Sequence, residues 1–346
     1  MTAISIEQAQ AIVAKAFLES APTITSISEI PHGYSFTSSQ TSYILDLALG
    51  SNVDATHSSF LVVSTDDASP SGSLPNSLSL FPQLLNTIRS NTSIPIPSPI
   101  LDETRSVIPH TYLITPIYPI VSTHLISLAQ ARESAILSAQ QSAVIDLQLG
   151  QWLGELHKGA QNDYFGLPSA TTPADPSYDW QDTFVALLEE QLDLAATRHP
   201  ELPIDGFRAT LGRAISAFLW SDVDVPSLVW FTGSPDDVFL AFTPSGQFSA
   251  FALLPAFAHA VWGDPLLETF FIGASNAFWE GYRAVRGEQD SAIMVFPRQR
   301  TKRVWYDVFL ALVVLNQRDK MSDDKTSWAL DCLHKSAETL KNAPVS

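Results

Sequence analysis

The stretch SLVWFTGSPDDVFLAF (227–242) gathers several groups that could do chemistry into one tight segment. Two short apolar runs flank Thr-Gly-Ser-Pro-Asp-Asp, the layout of strand, loop and strand in which enzymes commonly display reactive side chains. Asp236 and Asp237 could act as a weak cation site or a general base, although adjacent carboxylates in a turn are ordinarily solvated turn formers. Thr232 offers only a neutral hydroxyl, and Trp230 and Phe231 bring aromatic surface where a loop usually presents polar groups to water. His259 follows at a distance, a group able to serve as acid or base but equally at home in a structural setting. If proton transfer occurs, His259, Asp236 or Asp237 is expected to handle it, with an apolar surround moving the pKa toward a useful range. His32, in the turn IPHGYSFTSS, is a further candidate, whereas His157 lies in a long helical pattern and reads as packed.

The elements that must position these groups follow from composition and periodicity. A chain of 346 residues is long enough for two lobes, and 45% hydrophobic with 16% charged residues suits a well-buried globule. A formal charge of −17 and a pI near 4.7 exclude nucleic acid and disfavour anionic membrane surfaces, since both need clustered Lys and Arg. Cys332 is the sole cysteine, so neither a disulfide framework nor a cysteine metal site is expected. The N-terminus reads as an amphipathic helix rather than a signal peptide, and no stretch reaches the length of a membrane span. A cytoplasmic protein is expected.

Residues 24–66 alternate as strands, notably TSYILDLAL and SSFLVVST; 67–100 are rich in Ser, Pro and Asn, with one short helix around Leu84. TYLITPIYPIV (111–121) reads as a strand and a Pro-punctuated connector. From residue 128 the pattern turns helical, in SAVIDLQLGQWLGELHKGA, WQDTFVALLEEQLDLAATRHP, FFIGASNAFWEGYRAV, RVWYDVFLALVVLNQ and WALDCLHKSAETLKNA. The basic cluster QRTKRVWYD reads as a solvated helix start, and FALLPAFAHAVW as buried strand and connector. In WGDPLLE, Asp264 followed by Pro265 is the preferred start of a helix.

The order of four short motifs resembles the aminoglycoside phosphotransferase family, especially its fungal members. LGQWLGELHKGAQNDYFGLPS matches the helix and turn of that family, and YDWQDTFVALLEEQLDLA follows where it has a Trp-containing helix. LVWFTGSPDDVFL sits at its His-Gly-Asp loop, and ALLPAFAHAVWGDPLLE at its segment ending Trp-Gly-Asp-Pro. The resemblance implies an α+β, protein-kinase-like fold of two lobes: a small β-rich N-terminal lobe (1–118) and a large mainly helical C-terminal lobe (119–346).

Carried over position by position, the resemblance implies a degraded site. The loop His falls on Trp230 and the catalytic Asp, which orients the substrate hydroxyl, on Thr232. The magnesium-binding Asn falls on Asp237, the second magnesium ligand on Ala256, and the following Glu on Ala258. No Lys occurs between Lys15 and Lys158, so the third strand lacks its phosphate-binding Lys, and no acid lies between Asp67 and Asp102 to pair with one. A pseudokinase without cofactor or metal is the leading expectation. Its interlobe cleft, lined by Trp230, Phe231, Thr232, Ala256, Phe257 and Trp262, would take an apolar small-molecule metabolite, as a binder or as a cyclase- or isomerase-type enzyme of fungal secondary metabolism. A regulatory pseudokinase with a protein partner and an active small-molecule kinase with atypical residues stay as alternatives.

Overall fold

The computed structural model describes residues 4–19, 22–30, 33–49, 56–64, 74–96, 98–118, 125–243, 248–287, 296–318 and 324–344. In chain order the elements are α1 (Ile6–Ala16), β1 (Thr23–Glu29), β2 (Gln40–Ala48), β3 (Thr56–Ser64), α2 (Phe81–Asn91), β4 (Ile100–Asp102), β5 (Thr111–Ile114), β6 (Leu125–Ser127) and α3 (Leu128–Glu133). There follow α4 (Ala139–Gly159), α5 (Trp180–Arg198), α6 (Ile204–Ser216), β7 (Ser227–Val229), β8 (Val238–Phe242), β9 (Phe248–Leu253), β10 (Val261–Gly263), α7 (Asn276–Arg286), α8 (Pro297–Asn316) and α9 (Asp324–Asn342). The chain divides into two compact units: residues 1–33, 37–142 and 234–258, and residues 34–36, 143–233 and 259–346. No described helix is long and apolar enough to cross a membrane.

The first unit is built on a five-stranded antiparallel sheet in the order β1-β2-β3-β5-β4, with α2 lying in sequence between β3 and β4. Strand alternation decides its two faces. Tyr43, Leu45 and Leu47 of β2 and Leu61 and Val63 of β3 share one buried cluster with Ala9, Ile12 and Val13 of α1. The intervening positions Ile44 and Phe60 point to the other face, where Phe60 meets Tyr118 and Phe239 at ring distances of 5.7 and 5.1 Å. Phe239 belongs to the second sheet of this unit, β6-β8-β9, so this aromatic cluster joins the two sheets. Helix α1 starts on a reciprocal cap in which Ser5 and Gln8 satisfy each other's backbone N–H groups.

The second unit is mainly helical. Helix α8 is apolar all round from Val308 to Leu315 and buried there, and its burial extends from Thr301 to Asn316 except at Val304 and Asp307. Phe184 of α5 lies among Trp220, Tyr306 and Phe309 at ring distances of 5.1, 4.9 and 5.5 Å. Helices α4 and α7 touch backbone to backbone at Gly150 and Gly281, where a Cβ would collide with the carbonyls of Phe278 and Leu147. That approach explains the first glycine in LGQWLG. The apolar run FFIGASNAFWEGYRAV does not form one helix: Phe271 closes a 3-10 turn, Gly273 takes a positive φ of 67°, and α7 begins only after Ser275, whose hydroxyl caps it. The helical expectation from residue 128 onward also passed over β10, and β6 lies just before it; both are three-residue strands too short to show a period.

Candidate functional site

The first two residues of the loop from β7 to β8, Trp230 and Phe231, are held by their backbone groups and by ring packing. Trp230 N–H donates to Glu268 Oε1 at 2.7 Å, and its ring packs on Phe270 with centroids 5.8 Å apart. Phe231 stacks on Phe309 at 4.9 Å with planes 15° apart, while its carbonyl accepts from the backbone N–H and the hydroxyl of Thr269. Its φ is +62°, a conformation an aromatic residue adopts at a cost of about 1–2 kcal/mol. Two anchors on the carbonyl and a stacked ring offset that cost, so the tight turn is retained with a residue that would not choose it.

Thr232 is fully buried, and its Oγ1 lies 3.2 Å from His259 Nδ1, also fully buried. Burial first, and the positive charge of Arg318 second, push the His259 pKa down to about 3. His259 is therefore a neutral imidazole at physiological pH. Its Nε2 has no hydrogen-bond partner among the described residues. The expectation that an apolar surround would tune this group toward neutrality fails, because desolvation favours the uncharged form of a base and moves it away. A hydroxyl beside a neutral imidazole can exchange hydrogen bonds with a ligand, but a base this weak abstracts protons poorly near pH 7.

Asp236 and Asp237 are not the solvated turn residues their sequence suggests. Asp237 is 1% exposed and its Oδ2 accepts from Ser234 N–H at 2.9 Å and Ser234 Oγ at 3.2 Å. Asp236 is half-buried, accepts from the same hydroxyl at 3.3 Å, and lies so close to Gly33 that a Cβ there would collide with its carboxylate. Both carboxylates thus brace the turn after Pro235, whose carbonyl accepts from Ala129 N–H at 3.0 Å.

Of the remaining candidates, Phe257 and Trp262 are buried and Ala256 is partly buried. Ala256 packs with the aromatic cluster of the first unit. Phe257 meets Phe81 edge-on at 6.3 Å, and its carbonyl accepts from Asn76 Nδ2 at 3.1 Å. Trp262 lies in β10, opposite Leu228 of β7, and exchanges two backbone hydrogen bonds with Gly166. Of the candidates, the structure brings together Thr232 with His259, and Asp236 with Asp237. Trp230, Phe231, Thr232, His259 and Trp262 belong to the second unit; Asp236, Asp237, Ala256 and Phe257 belong to the first. His32 lies outside the described residues.

Two polar networks were hidden from the sequence. Glu268, the last residue of WGDPLLE, is fully buried and also lies 3.2 Å from His157 Nε2, while His157 Nδ1 bonds the Tyr282 hydroxyl at 2.9 Å. This places His157 in a packed role and makes Glu268 the clamp of the loop. Asp264 caps the 3-10 turn at Leu266 N–H as expected, and additionally accepts from Tyr306 at 2.8 Å and Lys302 at 2.7 Å. The basic cluster is therefore a helix start but not a solvated one. Lys302, 2% exposed, bridges Asp264 and Asp222, and Arg303 donates to the carbonyls of Leu266 and Glu268.

The course of these elements is that of a known structure. A Ralstonia eutropha protein described as a candidate aminoglycoside phosphotransferase superposes with a TM-score of 0.57 at 13% identity, over 98% of this chain and 99% of its own. The chain has an aminoglycoside-phosphotransferase-like, protein-kinase-like fold. The amicoumacin kinase hAmiN, solved with AMP-PNP, calcium and Ami, is similar at a TM-score of 0.48 and 15% identity, over 97% of this chain and 94% of its own. No protein-family model matches the sequence, and no curated protein matches it. On the kinase-like fold, the third strand THSSFLVVS carries no Lys and the helix that follows it, FPQLLNTIRSN, carries no acid. The one Lys in the sequence of the first unit, Lys15 on α1, is engaged with Asp102 at 2.5 Å, Thr104 at 3.1 Å and Ser106 at 2.9 Å.

Proposed function

We propose that this kinase-like protein no longer transfers phosphate and instead binds a neutral, largely apolar small molecule at the Thr232–His259 pair. The pair itself carries the reading: at the loop position where the family resemblance implies a catalytic Asp stands a buried hydroxyl, hydrogen-bonded to an imidazole held uncharged. Phosphoryl transfer relies on carboxylates, magnesium and a Lys to gather and neutralise phosphate charge. A neutral pair that follows Trp230 and Phe231 in the chain suits the opposite ligand, one with large apolar surface and a single polar group. Because His259 is a poor base, any reaction here, of the cyclase or isomerase type, would rest on orienting a reactive substrate rather than on proton transfer.

Thermal melting with a panel of neutral apolar metabolites, run beside nucleotides, tests this reading. At about 100 times its dissociation constant, a fitting ligand adds roughly 2.7 kcal/mol to stability. The expected result is a concentration-dependent rise with at least one apolar compound, reduced in Thr232→Val. A rise confined to phosphorylated compounds would overturn the proposal.

A further inference from the structure

The protons of the Thr232–His259 pair decide which polar group its ligand must carry. Both side chains are fully buried, and one contact joins them, Thr232 Oγ1 to His259 Nδ1 at 3.2 Å. That contact is the hydroxyl's only one among the described residues, and His259 Nε2 has none there. Burial keeps the imidazole uncharged, so one ring nitrogen carries a proton and the other a lone pair. Two arrangements meet these conditions. In the first, Nδ1–H donates to the hydroxyl oxygen, and the hydroxyl proton and the Nε2 lone pair are left over. In the second, the hydroxyl donates to Nδ1, and Nε2–H is left over. The imidazole lone pair belongs to a group that binds a proton at a pH of about 6.5 in water, so it is a much stronger acceptor than a hydroxyl oxygen. The second arrangement uses that lone pair; the first leaves it unmet in a buried place, where an unpaired polar group is costly. The second is therefore favoured.

We propose that Thr232 is a positioning residue: its hydroxyl donates to Nδ1, fixes His259 as the Nε2–H tautomer, and so makes the site a hydrogen-bond donor that selects a ligand with an uncharged acceptor, a carbonyl or ether oxygen. The selection rests on the apolar-ligand reading of the same pair and names the one polar group that such a ligand needs. A compound whose polar group can only donate would set one donor against another and leave both unpaired, the kind of mismatch by which buried sites reject close analogues. Thr232 then acts through the direction of its proton, at a position where the family resemblance implies a residue that acts through charge.

Long-range proton–nitrogen correlation spectra of the full-length protein, labelled with nitrogen-15 only at histidine, test the tautomer without any ligand, and His259→Gln identifies the signals that belong to His259. Nε2 couples to both carbon-bound ring protons and Nδ1 to one, so the two nitrogens are told apart directly. Near neutral pH the expected spectrum shows a protonated Nε2 and an unprotonated Nδ1. In Thr232→Val the two nitrogen shifts should move toward each other as both tautomers become populated, and Thr232→Ser should restore the wild-type pattern. A protonated Nδ1 in the wild type overturns the inference, and so does an unchanged pattern in folded Thr232→Val; if the valine variant does not fold, the wild-type spectrum carries the test. Three probes of similar shape then test the selection: 1-indanone, which only accepts, indole, whose N–H only donates, and indane, which does neither. At millimolar concentration 1-indanone should shift the His259 Nε2 signal and bind about tenfold more tightly than indole or indane. Indole binding as tightly as 1-indanone, or no response of Nε2 to 1-indanone, overturns the selection. Failure of the apolar reading itself is a different result, a melting rise confined to phosphorylated compounds.

Discussion

Glu268→Ala is expected to destabilise the protein by about 3–5 kcal/mol, the sum of two buried donors left without an acceptor and the cavity of the lost side chain. The donors are the backbone N–H of Trp230 and Nε2 of His157, both now served by Glu268 Oε1. Water cannot easily replace that oxygen, because Glu268 and His157 are both fully buried. The loss reaches past the local contacts. Trp230 fixes the start of a loop whose next residue holds φ at +62°, a conformation kept only while its neighbours over-determine it. Denaturant unfolding and melting measure the effect, with Tm lower by roughly 10 °C. Glu268→Gln keeps an oxygen at the same place and should cost less than half as much. An alanine variant within about 1 kcal/mol of wild type would show that the loop does not depend on this clamp.

The second large effect is one of pH. His259 binds its proton near pH 3 in the folded protein and near 6.5 once unfolded, since burial and the Arg318 charge act only in the folded state. Between those values the unfolded chain holds more protons, so the stability of the fold rises with pH across the window and falls as the medium is acidified below about 6.5. The slope from one such group approaches about 1.4 kcal/mol per pH unit in the middle of the window. His259→Gln retains a polar side chain but cannot titrate. The difference in unfolding free energy between wild type and His259→Gln, measured from pH 4 to pH 7, should therefore change in favour of wild type as pH increases and level off above about 6.5. A difference independent of pH would mean that His259 is hydrated or charged in the folded protein.

Much of the fold could be read from local pattern. The alternation in TSYILDLAL and SSFLVVST gave β2 and β3 to within two residues, and helical spacing gave α4, α5, α8 and α9. The late start of α7 was missed, although Gly273 and the capping Ser275 are stop and start signals inside an otherwise apolar run. The site was harder. Whether Lys302 is solvated is decided by Asp222 and Asp264, 80 and 38 residues away in sequence, and no local pattern announces either partner. Glu268 and His157 are separated by 111 positions. Asp236 and Asp237 carry a turn signature that is correct about the backbone and silent about burial. Residue identity could state that Thr232 carries no charge. Only the fold could state that the imidazole beside it carries none either.

Titration calorimetry of Mg-ATP into the wild-type protein tests the central claim most directly. On the proposed reading, the lack of a Lys on β3, of an acid on α2 and of a carboxylate at Thr232 and Ala256 leaves a triphosphate and its metal without the charged groups that phosphoryl transfer relies on. The account predicts no saturable heat up to millimolar nucleotide, a regime in which binding free energy is weaker than about −4 kcal/mol. A saturable, magnesium-dependent isotherm with a micromolar dissociation constant, near −8 kcal/mol, would contradict it.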